Sequence, residues 1–404
     1  MHLFNIEKFI SENITGRKES LFKDDIKANT STLFEKIEGK SVLVIGGAGT
    51  IGSSFIRAIL KFNPSELYVV DISENGLTEL VRDIRSNSAL KAPPVFLTYP
   101  INFGDSIFEK ILRQHGTFDI VANFAAHKHV RSEKDHFSIE AMIDNNVFKA
   151  KKLLDLLLEF KPKHFFCVST DKAANPVNIM GASKKLMEDV IMAYSSQMPI
   201  TTARFANVAF SNGSLLYGFL ERIMKRQPLS APDDVKRYFV SPDESGELCM
   251  LACMLGETGD IFFPKLQENS MQTFSSIADK FLKAHNMSAD ICKTEEEAKD
   301  KANQLNDNST AYPVYYFSSN TSGEKSYEEF FTNEEQLDVK TFDQLGVVKN
   351  TQKKSISVVK EMIKKLKEVL HNTDINKQTI VNTIKSFMPN FEHIETGKNL
   401  DQKM

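Results

Sequence analysis

Short apolar runs alternate with longer amphipathic stretches through the first half of the chain. The runs SVLVI, LYVVD, FDIVANFAA, HFFCVST and PITTARFAN start at Ser41, Leu67, Phe118, His164 and Pro199. Runs that stay apolar, instead of alternating with polar residues, mark strands buried on both faces, and amphipathic helices between them cover those faces. The pattern predicts an α/β fold with a doubly wound parallel sheet over 41–207. Beyond Asn207 the rhythm breaks into loops and short helices, which predicts a smaller C-terminal substrate lobe over 208–340. Leu3, Phe4, Ile6, Phe9, Ile10 and Ile14 stand at helical spacing and predict an N-terminal helical extension, 1–40, docked on the main domain or on a partner subunit. Ile356, Val359, Ile363, Leu366 and Leu370, followed by Ile380, Ile384 and Phe387, predict a C-terminal helical extension, 341–404. The last 60 or so residues read as an appendage rather than a catalytic element.

The first apolar run passes directly into GGAGTIG and then into the helical stretch SSFIRAILKF. Gly46, Gly49 and Gly52, with Thr50 and Ile51 between the last two, thus lie at a strand-to-helix turn. Glycines there let the chain turn tightly and let its backbone approach a pyrophosphate, while the helix N-terminus offers unpaired N–H groups to the anion. Asp71 ends the next strand, where a carboxylate accepts hydrogen bonds from the ribose hydroxyls of NAD and repels the 2′-phosphate of NADP. Each feature has a plainer reading, a tight turn for the glycines and a helix cap for Asp71. Both in one βαβ unit favour a Rossmann-type domain that binds NAD.

Composition narrows the partners. The 404 residues carry 50 Lys and Arg against 53 Asp and Glu, a net charge of −3 that offers no field suited to a nucleic-acid backbone. The expected partners are small molecules and other proteins. Cys167, Cys249, Cys253 and Cys292 are too few and too scattered for a disulfide framework, which points to a reducing, cytoplasmic setting. Cys249 and Cys253 share a helix face without a second ligand pair, so core packing is expected rather than zinc, and no metal site is evident. No stretch reaches the ~18 consecutive apolar residues of a membrane span, and no contact with the bilayer is expected.

A second motif, STDKAANPVNIMGASK, begins at Ser169, directly after the run HFFCV. Its position puts Thr170, Asp171 and Lys172 at the C-terminal edge of the sheet, where α/β folds bind ligands. Lys184 follows Met180 at the spacing of a YxxxK pair whose tyrosine is missing. Here the chain resembles the extended short-chain dehydrogenase/reductase superfamily, and within it the UDP-N-acetylglucosamine 4,6-dehydratases of bacterial polysaccharide and glycan biosynthesis. The resemblance runs from about Gly46 to Glu329 through GGAGTIG, NFAAHKHV, IDNNV, STDKAANPVNIMGASK, ARFANV, KRYFV and SGEKSYEEF.

The resemblance implies that Asp171 and Lys172 are the general acid and base and that Lys184 holds the nicotinamide ribose. It places Ala125 and Ala126 in the cofactor loop and Asn145 and Asn146 in the NNV block. It puts Lys128, Glu133, Asn207, Ser214, Arg237 and Glu324 near the sugar or nucleotide, and it implies a homo-oligomer. Three residues depart from the pattern. Met180 replaces the superfamily's tyrosine, as in one branch of these dehydratases. Asn102 replaces an aspartate that contacts adenine. Thr321 replaces an arginine at the nucleotide end of the substrate, which leaves the choice between a UDP-sugar and a GDP counterpart open.

These residue types suit a dehydration. The C5 proton of a hexose is not acidic until C4 is oxidised to a ketone by hydride transfer to NAD, after which a modest base removes it. A desolvated Lys172 beside a positive nicotinamide is expected to have the lowered pKa of such a base. Asp171 would protonate the departing C6 hydroxyl, alone or through Thr170. A thioether cannot take the hydroxyl proton that tyrosine takes in an ordinary dehydrogenase or 4-epimerase, so Met180 favours dehydration. A nucleotide-sugar epimerase on the same fold and a catalytically silent NAD-binding scaffold are the competing readings.

Overall fold

The computed structural model describes residues 4–397 except 320–322, 324, 326, 350, 352, 373, 374 and 396, and only the backbone of residue 131. Nine strands form the main sheet: β1 (Ser41–Ile45), β2 (Glu66–Asp71), β3 (Val95–Pro100), β4 (Ile120–Asn123), β5 (His164–Val168), β6 (Ile200–Ala203), β7 (Ile261–Pro264), β8 (Gln336–Asp338) and β9 (Leu345–Lys349). Their order is β8-β9-β7-β6-β5-β4-β1-β2-β3. The seven from β1 to β7 run parallel, and β8 and β9 close one edge antiparallel. This is the expected doubly wound Rossmann-type sheet. The chain reverses direction across the sheet between β1 and β4, so the crevice beyond their C-terminal ends is the place where such sheets take ligands.

The apolar runs become strands because both sheet faces are covered. Every residue from Val42 to Ile45 and from Phe165 to Val168 is buried. Residues 242–264 and 336–349, which the broken rhythm after Asn207 separates from the sheet, return to it. The helix Pro242–Leu255 is buried on nearly all sides, so its sequence lacks the polar face that would have marked it. It lies so close to the helix Thr50–Leu60 that a Cβ on Gly246 would sit 2.2 Å from the backbone of Ser54.

The second lobe has its own core and a small parallel sheet, Ser288–Cys292, Ala311–Phe317 and Leu229–Pro232. The N-terminal segment docks here, as a short helix Ile6–Phe9 that widens into a π-helix, Ile10–Thr15. Phe9 meets Phe210 and Phe281 edge-on, at 5.9 and 5.8 Å between ring centres. Arg17 then makes a two-pronged pair with Glu244, whose carboxylate also closes a capping box with Ser241. At the other end, the helices Ile356–Leu370 and Lys377–Phe387 bury their apolar stripes against the main core.

Candidate active site

The turn after β1 is shaped for close approach. Gly46 has φ +76°, and a Cβ there would lie 2.5 Å from the Ala125 nitrogen, on the loop after β4. A Cβ on Gly52 would lie 2.3 Å from the Gly46 carbonyl oxygen, so only glycine lets the helix start against the turn. The helix Thr50–Leu60 has Gly49 as N-cap, and its first i→i−4 bond is Ser53 N–H to the Gly49 carbonyl. The N–H groups of Thr50, Ile51 and Gly52 therefore precede the intrahelical ladder, in the arrangement that attracts anions. Asp71 closes the turn from the next strand: one carboxylate oxygen accepts from Ala48 N–H at 3.0 Å and the other from Ser73 N–H at 2.9 Å.

The neighbouring residues divide into lining and scaffold. Ala125 is held by an N–H bond to Asn123 Oδ1, and Asn102 Oδ1 accepts from Gly104 N–H at 2.8 Å, which ties that amide oxygen into its own loop. Asn146 is buried and clamps the loop before it, accepting from His127 N–H and donating to the His127 carbonyl and Ser183 Oγ. Asn145 donates to Asn146. Lys184 is 3% exposed, and its ammonium donates to the Val168 carbonyl at 2.7 Å. Burial pushes its pKa down.

Asp171 and Lys172 sit where β5 ends. Thr170 caps a single helical turn, Asp171–Ala173, and donates its hydroxyl to Asp171 Oδ1 at 2.7 Å. The same carboxylate oxygen accepts from the Lys172 backbone at 2.8 Å and stands 3.2 Å from Lys172 Nζ. Asp171 is buried. Gly181 of the following helix allows the Lys172 carbonyl to pack on it, since a Cβ there would lie 2.6 Å from that oxygen. The expected low pKa of Lys172 is corrected here. Burial does act downward, but Asp171 and a residue not anticipated from sequence, Glu328, outweigh it and raise the lysine above its ordinary value.

Glu328 is buried, with Oε1 3.5 Å from Lys172 Nζ and 3.8 Å from Arg237 Nη2. Arg237 also donates to the carbonyls of Lys236 and Lys325, so the lobe and the loop after β5 meet through charged groups. Of the other residues placed near substrate, Asn207 starts a short strand beside Phe239–Val240, and Ser214 caps the helix Leu215–Met224. Lys128 is exposed on the loop after β4, yet protein packed around its ammonium lowers its pKa. Glu324 and Thr321 lie outside the described residues.

Glu133, which the resemblance puts near the sugar or nucleotide, has partners within the protein on both carboxylate oxygens. It is buried, and Oε1 accepts from the Met180 N–H at 2.8 Å, fixing the first turn of the helix Ile179–Ala193. Its other oxygen lies 3.4 Å from His393 Nε2 and 3.9 Å from Lys377 Nζ, both in the C-terminal extension. Ile394 N–H bonds the Val177 carbonyl at 2.9 Å. The C-terminal extension, read from the sequence as an appendage, thus packs onto Glu133 and onto Val177, five residues after Lys172. Met180 is buried.

Among known proteins, the model of the polysaccharide biosynthesis protein family matches residues 42–350. The chain belongs to that family. It is 32% identical over 233 residues to an uncharacterized membrane protein, MJ1061, of Methanocaldococcus jannaschii, covering 56% of this chain and 67% of that one. No described helix of this chain is long and apolar enough to cross a membrane. It is 31% identical over 255 residues to the probable polysaccharide biosynthesis protein EpsC of Bacillus subtilis, covering 62% of this chain and 41% of EpsC. The chain thus spans about two fifths of that relative's length. UDP-glucose 4-epimerase of Rickettsia prowazekii also matches, at 28% over 260 residues, 61% of this chain and 72% of the epimerase. Among solved structures, the dTDP-glucose 4,6-dehydratase DesIV of Streptomyces venezuelae, solved with NAD and TYD bound, shares the fold at a TM-score of 0.54. Identity there is 17%, over 87% of this chain and 97% of DesIV.

Proposed function

We propose that the protein is an NAD-dependent nucleotide-sugar 4,6-dehydratase that converts UDP-N-acetylglucosamine to a UDP-4-keto-6-deoxy-N-acetylhexosamine. The observation that carries this reading is the Asp171–Lys172 pair at the end of β5, its carboxylate buried and its lysine half-buried, with methionine, not tyrosine, at position 180. The cradle formed by Gly46, Gly52 and the helix N-terminus fits a pyrophosphate, and Asp71 keeps lone pairs for ribose hydroxyls beyond its two loop bonds. DesIV, on the same fold, binds NAD. NAD held there would supply an acceptor for the C4 hydride and a donor for its return to C6.

Each proton then has a carrier among this chain's own residues. Asp171, ionised at the start, takes the proton of the C4 hydroxyl directly or through Thr170, whose hydroxyl already bonds it. Lys172, when neutral, takes the C5 proton. Asp171 gives its proton to the C6 hydroxyl, which leaves as water, and Lys172 returns its own proton to C5. Incubating the purified protein with UDP-N-acetylglucosamine, and separately with the GDP counterpart, tests this by mass spectrometry. Loss of one water supports the reading, unchanged mass with altered stereochemistry gives the epimerase instead, and no conversion of any nucleotide sugar gives the silent scaffold.

Asp71 carries the cofactor choice. Extracted protein is expected to yield NAD, and NADP to bind poorly because its 2′-phosphate meets the carboxylate. Asp71→Ser removes the repulsion but also the acceptor of Ala48 N–H, so it should lower NAD affinity and narrow the gap to NADP without reversing it. Ile72, Ser73 and Glu74 supply no arginine for the phosphate. Mainly NADP in the wild-type extract would overturn this role of Asp71.

A further inference from the structure

The reaction described above leaves one charge unbalanced. When Lys172 takes the C5 proton, Asp171 is carrying the proton it will give to the C6 hydroxyl and is therefore neutral. The positive charge gained by Lys172 then has no partner in the pair itself. Glu328 is the second carboxylate at the lysine, with Oε1 3.5 Å from Nζ, and it is only 5% exposed, so water screens the contact weakly. It approaches from the SYEEF segment, after the second lobe, whereas Asp171 approaches from β5. Lys172 thus lies between two carboxylates from separate parts of the chain.

We propose that Glu328 is a positioning residue for Lys172, seating its ammonium and balancing the charge the lysine gains when it takes the C5 proton. The proposal rests on the dehydratase reading for its reaction step, but its physical content is the contact itself. The C5–H bond breaks with its proton going to Lys172 nitrogen, the C6–O bond breaks with the Asp171 proton going to oxygen, and Glu328 exchanges no proton; burial pushes its carboxyl above the ordinary value, while Lys172 and Arg237 act to keep it ionised. The charged groups around Glu328 are Lys172, Asp171, Arg237 and Lys325. Of these, Arg237 at 3.8 Å has its own carbonyl partners, so it is held in place independently of the carboxylate.

The isosteric change Glu328→Gln removes the charge and keeps the shape. Two effects are expected. Turnover falls by about 10-fold to 10²-fold through kcat rather than KM, with NAD content unchanged, because a stabilising charge near the reacting base is lost. The acid limb of the kcat profile, which reports loss of the Lys172 proton, moves to lower pH by roughly one unit, because an ionised carboxylate at the lysine favours its charged form. Glu328→Asp should restore part of both. Competitive labelling of Lys172 by acetic anhydride across pH, read by mass spectrometry, follows the same titration without any substrate. If the wild type converts no nucleotide sugar, the dehydratase reading fails while the labelling still tests the contact. If Lys172 labels with the same pH dependence in wild type and Glu328→Gln, the proposal is wrong. A rise in KM alone, with kcat and its acid limb unmoved, would also overturn it.

Discussion

Lys172→Ala is expected to stop product formation while leaving the protein able to oxidise C4. The oxidation needs a base for the hydroxyl proton, and Asp171 remains 4% exposed at the end of β5 with Thr170 bonded to it. Reduced cofactor should therefore accumulate after substrate is added, and the absorbance of NADH should rise and stay. Solvent deuterium should not enter C5, since the group that removes that proton is gone. The loss in turnover should be on the order of 10²–10⁴-fold, as for removal of a positioned general base. Asp171→Asn is expected to fail earlier: no stable rise in NADH, with turnover down by about 10²-fold or more. Normal C5 exchange in Lys172→Ala would remove the lysine from the base role, and near-normal activity in Asp171→Asn would remove the acid.

The two variants also separate what the sequence showed from what it hid. The position of Asp171 and Lys172 was readable because the run HFFCV is a strand buried from Phe165 onward, so the residues after it had to emerge at the sheet edge. The glycine turn was readable for the same reason. The protonation state of Lys172 was not, because it depends on Glu328, more than 150 positions later in a stretch whose described residues form no strand or helix. A signal existed in SGEKSYEEF, where two adjacent carboxylates follow Gly323, whose carbonyl accepts from Asn178, but nothing local says which one turns inward. Glu329 instead accepts from Asn175 and is exposed. The link between Glu133 and the C-terminal extension was hidden likewise: His393 is 260 positions away, and an apolar stripe on a helix tells that it docks without telling where. Strands β7, β8 and β9 escape the apolar pattern because they are short and second-lobe segments interrupt the sheet before β7 and again between β7 and β8.

Beneath the site lies a buried charge network whose disruption should have the largest effect on stability. Arg204 has no exposed side-chain surface and makes two-pronged pairs with Glu188, at 2.9 and 2.7 Å, and with Glu335, at 2.9 Å for both contacts. Glu188 also accepts from Ser169 Oγ at 2.6 Å, two residues before Asp171. Burial opposes the ionisation of Glu188, but Arg204 overcomes it and holds the carboxyl at about 2. Arg204→Met strands that carboxylate in the interior, with Lys185 3.5 Å away as its remaining cation. The expected cost is about 3–5 kcal/mol in unfolding free energy, measured by denaturant titration at neutral pH. The double change Arg204→Met, Glu188→Met removes the orphaned charge as well and should recover part of that loss. The pH dependence follows from the direction of the shift. A carboxyl held below its unfolded value, 4.5, stabilises the wild type fully above that pH, and the contribution fades as pH falls toward about 2. In Arg204→Met the carboxyl has lost the partner that overcame its burial, so it takes up its proton at higher pH than in the wild type and is already relieved as the wild type's contribution fades. The stability gap between the two proteins should therefore narrow as pH drops from 4.5 toward 2. A gap under about 1 kcal/mol at neutral pH, or one that widens in acid, would show that this network does not support the floor of the site.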